Sequence, residues 1–374
     1  MENRFNQVAK IKVIGVGGGG NNAINRMYNE NVQGVEFFVA NTDAQVLQSS
    51  PVPNKIILGE QTTKGLGAGG NPEIGKAAAL ETEEEIKEAL KGADLIFVAA
   101  GMGGGTGTGA APVIARIAQE LGSLVIAVVT KPFLFEGKHR MNNATSGLQE
   151  LKKHVDSMIV ISNNKLLEYI GGIPIQDSFK ETDAILKQGV QTITDLIAVP
   201  AIINLDFADI KNVMAKKGDA LFGIGIASGK EKATEAAKKA MSSSLLEASI
   251  SGAQDIIVNI TGGSTVSLND AYDAVDVITQ ATNNKDLNII FGMAINDELT
   301  ENDEIIVTVI ATGFNSANQQ QEFVKKPASE YYRSTNIESI MDKNEEKEYE
   351  EILEDQSTTF ATIDDEDDFP TFLK

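Results

Sequence analysis

Five short runs in the first half of the chain are almost wholly apolar: residues 11–16, 37–40, 95–100, 124–130 and 158–161. Strands buried on both faces of a parallel sheet read this way, because helices cover each face and no polar alternation survives. Stretches of helical period lie between them, at 22–29, 73–90 and 111–121. Pro112 falls in what reads as a first helical turn, where a missing amide costs no hydrogen bond. Alternating strands and helices predict an open α/β sheet, with ligands beyond the carboxyl ends of its strands.

A long helix is predicted from about 177 to 199. Ile185, Leu186, Val190, Ile193, Leu196 and Ile197 form one apolar stripe along it, and Pro200 ends it. The pattern then restarts. Strands are predicted at 221–227, 256–261, 289–295 and 305–312, with helices at 230–243 and 269–282, which makes a second, smaller α+β domain. Periodicity stops after Phe314. Residues 316–374 hold 16 acidic and 6 basic side chains, a net of −10. Such a stretch buries too little apolar area to offset its ordering entropy, so it is expected to be disordered. Its end differs: Phe369, Pro370, Phe372 and Leu373 follow the acidic run 364–368 and read as a docking peptide.

Composition narrows the function. The whole chain carries 53 acidic and 32 basic residues, a net of −21, which disfavours a nucleic-acid partner because phosphate backbones need a basic footprint. There is no cysteine, hence no disulfide or thiolate metal site, and only two histidines, His139 and His154, so a histidine metal centre is not expected. No signal region opens the chain and no run is long enough to span a bilayer. A cytoplasmic protein without membrane insertion is expected.

Two glycine-rich segments carry the chemistry. Gly15-Val16-Gly17-Gly18-Gly19-Gly20-Asn21-Asn22 follows the first strand, and Gly101-Met102-Gly103-Gly104-Gly105-Thr106-Gly107-Thr108-Gly109 follows the third. A strand, a glycine turn and a helix start make an anion site, since backbone N–H groups and the helix dipole both favour negative charge. Thr106 and Thr108 add hydroxyls. No lysine follows as in G-K-[ST], so this is not the P-loop. Two such units in one domain point to a nucleotide gripped by its phosphates from two sides.

These segments, with NTDAQ at 41–45, TKPFLFEGKHR at 130–140, NLDFADIKNVM at 204–214 and the terminal DDFPTFLK, closely resemble the FtsZ family of tubulin-like bacterial cell-division GTPases. The resemblance covers about 10–314 and the last dozen residues. It implies a GTP-binding Rossmann-like domain (10–176), a central helix (177–203), a C-terminal α+β domain (204–314), an acidic linker (315–362) and a C-terminal docking peptide (363–374). It further implies GTP hydrolysis completed when subunits stack head to tail at the division site. The cofactors implied are GTP/GDP, with Mg2+ and K+ as accompanying ions whose ligands the sequence does not reveal.

Residue by residue, the resemblance places the phosphates against Gly17, Gly18, Gly19 and Asn22, and against Gly103, Gly104, Gly105, Thr106, Gly107 and Thr108. It adds Asn41 and Asp43, and a third loop with Ala68, Gly69 and Gly70. Relatives commonly have alanine where this chain has Gly70. The resemblance assigns Glu136, Arg140 and Asn163 to the ribose and its surroundings. Phe179 is to stack on the purine, and Asp183 is to accept from guanine N1–H and its exocyclic amine, a donor pair that adenine lacks. Asn204, Asp206 and Asp209 become a catalytic loop delivered to the neighbouring subunit. Phe369, Pro370, Phe372 and Leu373 would bind a membrane-attached division adaptor.

Other readings stay open at this stage. G-x-G-x-x-G fits 15–20, and Asp43 follows the second strand about where a dinucleotide fold places its ribose acid, so an NAD-dependent oxidoreductase competes. A non-catalytic tubulin-like scaffold, or a filament that positions plasmids or phage, would share the glycine loops.

Overall fold

The computed structural model describes residues 9–170, 174–198, 203, 206–242, 249–284 and 286–314. The expected linker and docking peptide, with Phe369, Pro370, Phe372 and Leu373, lie outside the described residues, as do Asn204 and Pro200.

The first half alternates β1 (Ile11–Val16), α1 (Gly17–Asn29), β2 (Val35–Asn41), α2 (Ala44–Ser49), β3 (Asn54–Ile57), α3 (Glu60–Thr63), α4 (Pro72–Glu81), α5 (Glu83–Leu90), β4 (Leu95–Gly101), α6 (Thr106–Glu120), β5 (Leu124–Lys131), α7 (Lys138–Leu151), β6 (Ser157–Ser162) and α8 (Asn163–Ile170). The long helix α9 (Ile175–Ala198) follows. The second half holds α10 (Phe207–Met214), β7 (Gly218–Ser228), α11 (Lys232–Met241), β8 (Asp255–Gly262), α12 (Leu268–Thr282), β9 (Asn288–Ile295) and β10 (Glu304–Thr312).

The strands lie in the order β3-β2-β1-β4-β5-β6-β7-β10-β8-β9. The first six pair in parallel in doubly wound order, which reverses between β1 and β4. Alternate residues of the buried strands feed two cores. Ile11 and Val13 join α1, α9 and α10 on one face. Ile14 and Val16 join α4, α5, α6 and α7 on the other. A third core lies between β8, β10, α11 and α12. The expected architecture is therefore present: a parallel α/β sheet, a long helix and a smaller α+β part.

One strand belongs to both halves. β7 pairs in parallel with β6 through Gly218, Asp219 and Ala220, then runs on antiparallel to β10. Asp156 seats it. The Asp156 carbonyl accepts from Lys217 N and Gly218 N, both at 2.9 Å. Its carboxylate accepts from Val125 N at 2.9 Å and Lys216 N at 3.1 Å.

Helix boundaries differ from the periodic reading at the glycine segments. α1 begins at Gly17 rather than Asn22, and α6 at Thr106 rather than Ala111, so Gly17 to Gly20 form the first turn of α1 and Gly107 and Gly109 lie in the first turn of α6, while Gly103 to Gly105 form the loop before it. Pro112 consequently stands inside α6, where it withholds the amide that Thr108 C=O would have received. The predicted helix 73–90 is two helices that break at Thr82. The Thr82 hydroxyl bonds back to Ala78 O at 3.1 Å, and three acids, Glu83, Glu84 and Glu85, open the next helix. β3, α2, α3, α7, α8 and α10 are too short or too mixed in polarity to stand out by period.

Replacing Asp156 by alanine strands Val125 N and Lys216 N at the join between the halves. We expect a loss of about 1–3 kcal/mol, read by urea denaturation. Because β7 is shared, unfolding should remain a single transition monitored from either half.

Candidate nucleotide site

The glycine segments follow β1 and β4, the two strands between which the sheet reverses its order. They touch. Gly17 has φ +71°, and a Cβ there would lie 2.8 Å from Gly107 N. A Cβ at Gly20 would lie 2.2 Å from Ala99 O. The third loop closes on the second: a Cβ at Gly105 would stand 2.8 Å from Ala68 Cβ and 2.9 Å from Asn71 N. Side chains are excluded here because three backbones already fill the space.

Both helix starts are bare. α1 and α6 have no side-chain N-cap and no acid in their first turns, whereas Asp43 caps α2 and Asn71 caps α4. Their leading N–H groups and positive dipole ends are left for an external anion. Gly18 and Gly19 are exposed, Gly104 is half-buried, and a Cβ at Gly18 or Gly104 would meet nothing within 4 Å. The surroundings thus fit the phosphates of a nucleotide.

The polar side chains of the loops serve the loops. Thr108 is buried and its hydroxyl accepts from Gly103 N at 2.8 Å. The Thr106 and Thr42 hydroxyls meet at 2.6 Å. Asp43 turns its carboxylate onto Gln45 N at 2.9 Å and Val46 N at 3.3 Å, so the acid of the dinucleotide reading is occupied as a cap. Asn22 is exposed, Asn41 is buried, and Ala68 is buried beneath exposed Gly69 and Gly70.

Around this edge, Glu136 and Arg140 form an ion pair, and Glu136 also accepts from Phe133 N at 2.9 Å. Asn163 is buried at the end of β6, and its Oδ1 has no hydrogen-bond partner among the described residues. Phe179 keeps 43% of its surface exposed and meets Phe133 edge-on at 5.2 Å, while Phe133 stacks on Phe135 at 4.9 Å. One turn further along α9, burial pushes Asp183 up to about 6, with Arg26 of α1 pulling the other way. An aromatic face and a desolvated carboxyl therefore stand one turn apart on α9, the carboxyl within reach of Arg26 of α1.

Asp206 and Asp209 are elsewhere. α9 spans 24 residues, about 36 Å at the helical rise, and leaves the glycine edge with Phe179 at its start. The next helix, α10, ends against the start of β6, where Ser157 Oγ donates to Met214 O at 2.6 Å. The two acids open α10 as a reciprocal cap: Asp209 N donates to Asp206 Oδ1 at 2.9 Å and Asp206 N donates to Asp209 Oδ2 at 3.1 Å. Glycine loops and acidic pair thus occupy opposite edges of one sheet.

Sequence reasoning passed over Asn21 and Thr42, both 0% exposed beneath the loops. Asn21 shares a helical face with buried Ile24, and that position was the available signal. A cleft of about 850 Å3 between α4, α6 and α7 borders Gly69, Gly70 and Thr108 and contains both histidines, but it opens on the flank of the sheet rather than over the bare amides. No group of three or more His, Asp or Glu gathers as for a metal among the described residues, and no described helix is long and apolar enough to cross a membrane.

Comparison with known proteins bears on the fold and family. Residues 10–171 match the model of the Tubulin/FtsZ family GTPase domain, and 218–315 that of the FtsZ family C-terminal domain. The structure is similar to an empty FtsZ dimer from M. jannaschii, with 42% identity, 82% of this chain and 88% of that chain covered, and a TM-score of 0.77. It also resembles CetZ2 from Haloferax volcanii in a GTPγS-bound protofilament, at 23% identity, 84% and 96% coverage and a TM-score of 0.69, a likeness of fold. With its glycine loops, long helix and both domain models in register, the chain belongs to the FtsZ family of tubulin-like GTPases.

Proposed function

We propose that this protein binds GTP at the glycine edge, assembles head to tail, and hydrolyses GTP when the Asp206–Asp209 edge of one subunit reaches the phosphates of the next, as a component of the cell-division ring. The observation that carries this reading is the separation of bare helix starts and acidic pair onto opposite edges of one sheet. A carboxylate beside a terminal phosphate is electrostatically costly within one subunit. Delivered by a neighbour, it orients and polarises water. Heterologous contacts that do not close give filaments.

The α- and β-phosphates are assigned to the N–H groups of Gly17 to Gly19 and Gly103 to Thr108, and the third loop with Gly69 and Gly70 to the terminal phosphate. Glu136, Arg140 and Asn163 serve the ribose, Phe179 the purine face, and Asp183 the guanine donors. Mg2+, with K+ as a further ion, would screen the phosphate charge. The segment 363–374 docks on a membrane-attached adaptor through Phe369, Phe372 and Leu373, and this places the filament at the division site in the cytoplasm.

Asp183 sets the base preference and its pH dependence. Only the ionised carboxylate accepts both guanine donors, and its value in the free protein is about 6. GTP affinity measured by calorimetry should fall as pH drops through 6, with proton release on binding in that range. Asp183→Ala should lose roughly 1–3 kcal/mol of GTP binding and flatten the pH profile. Equal affinity in variant and parent rejects the assignment.

Assembly should switch on hydrolysis. Phosphate release per subunit is expected to rise above a critical protein concentration. Asp209→Asn keeps an oxygen for Asp206 N but removes the charge. It should bind GTP normally and hydrolyse it at least about 100-fold more slowly, as expected for a group acting in the transition state. Specific activity independent of concentration would count against a shared site.

Removal of residues 364–374 should leave GTP turnover intact and abolish binding to adaptor-coated vesicles. Undiminished vesicle binding would show that the terminal peptide is not the docking segment.

A further inference from the structure

Beneath the first glycine loop lies a buried amide that the proposed chemistry does not use. Asn21 is 0% exposed. Three backbone carbonyls crowd one end of its amide, Gly15 O at 2.8 Å, Gly17 O at 3.0 Å and Ala40 O at 3.2 Å, and Asn41 Nδ2 lies 3.2 Å from the other end; carbonyls only accept, so the amide nitrogen is assigned to the first end and the oxygen to the second. Asn41, itself 4% exposed, accepts from Asp43 N at 3.3 Å. The next residue, Thr42, meets Thr106 at the first position of α6 through their hydroxyls.

The geometry points to Asn21 as a positioning residue that holds the first glycine loop in its phosphate-receiving shape and ties it, through Asn41 and Thr42, to the start of α6. This inference rests on the nucleotide reading given above. A run of four glycines has no side chains of its own to select one backbone path, and glycine loses more freedom on ordering than any other residue. Gly15 and Gly17 flank the turn, so a group that binds both carbonyls fixes the turn between them. Only a primary amide supplies two N–H donors and one acceptor in a planar head of this size. Asp would set an oxygen against three carbonyls, Ser is too short, and Ala leaves buried acceptors unpaired. Asn21 does not touch the phosphates. It acts by sparing the nucleotide the entropic cost of ordering the loop.

The test uses the full chain below its assembly concentration and a fluorescent GDP analogue followed by stopped flow. Asn21→Ala should weaken GDP at least about tenfold, the scale of stranded buried hydrogen-bond partners, with the change in the dissociation rate. Turnover at saturating GTP, measured separately above the assembly concentration, should stay within about twofold, as for loss of binding without loss of transition-state contacts. Ser157→Ala, which loses a buried hydroxyl bond at the far edge of the sheet, serves as the control. It should lower the melting temperature with GDP affinity unchanged. Asn21 and Asn41 should act as one unit, so Asn21→Ala with Asn41→Ala should bind little worse than the weaker single variant.

Unchanged GDP release in Asn21→Ala beside a parent that binds normally overturns the inference alone, as do fully additive losses in the double variant. A parent that binds no guanine nucleotide overturns the GTP reading and this inference together. Should Asn21→Ala not fold, Asn41→Asp sets two oxygens face to face across the same link, and its retention of parental GDP affinity is the overturning result.

Discussion

The site depends on the direct approach of backbone to backbone where the sheet reverses its order. Gly17 meets Gly107, Gly20 meets Ala99, and Gly105 meets Ala68 and Asn71, each too close for a side chain. That contact brings two helix starts together without acids or caps, and so makes a concentrated patch of amide donors in a chain of net charge −21. An anion drawn to such a place is held by dipoles rather than by ionised side chains. The strong overall negative charge and the capacity to bind a polyphosphate are compatible for that reason.

Much of this was legible in the sequence. Apolar runs located the buried strands because parallel strands carry no competing polar pattern, and the stripe on α9 was long enough for its period to be unmistakable. The glycine segments announced a site because a strand, a glycine turn and a helix start leave amides free for an anion; that close backbone packing also demands several of those glycines was not visible in the sequence. What escaped notice was tertiary in origin. Periodicity placed the helix starts after the glycines, since glycine carries no hydrophobic signal, whereas the folded chain winds Gly17 to Gly20, and Gly107 and Gly109, into the first turns. The break at Thr82 depends on a hydroxyl bonding back to Ala78. The proposed role of Asn21 depends on three carbonyls, from β1, β2 and the first residue of α1. No window of sequence contains them all.

The acidic pair shows how one constellation carries two meanings. As local structure, Asp206 and Asp209 are a reciprocal helix cap, a sufficient reason for acids at that spacing. Each carboxylate commits one oxygen to the partner's amide, which fixes both heads in orientation. On the proposed reading, such rigid presentation would suit a group that serves a neighbour's substrate, since it would not have to be ordered again at each contact. The local cap and the proposed chemistry ask for the same geometry.

The 24-residue helix α9 has a consequence for anything built from this subunit. It keeps an edge of amide donors and an edge of carboxylates at a fixed remove, and no rotation of the subunit exchanges them. A row of such subunits stacked edge to edge is therefore an arrow. On the proposed assembly, one tip would present the bare helix starts and the other the Asp206–Asp209 cap, so newcomers at the two tips would meet different chemistry.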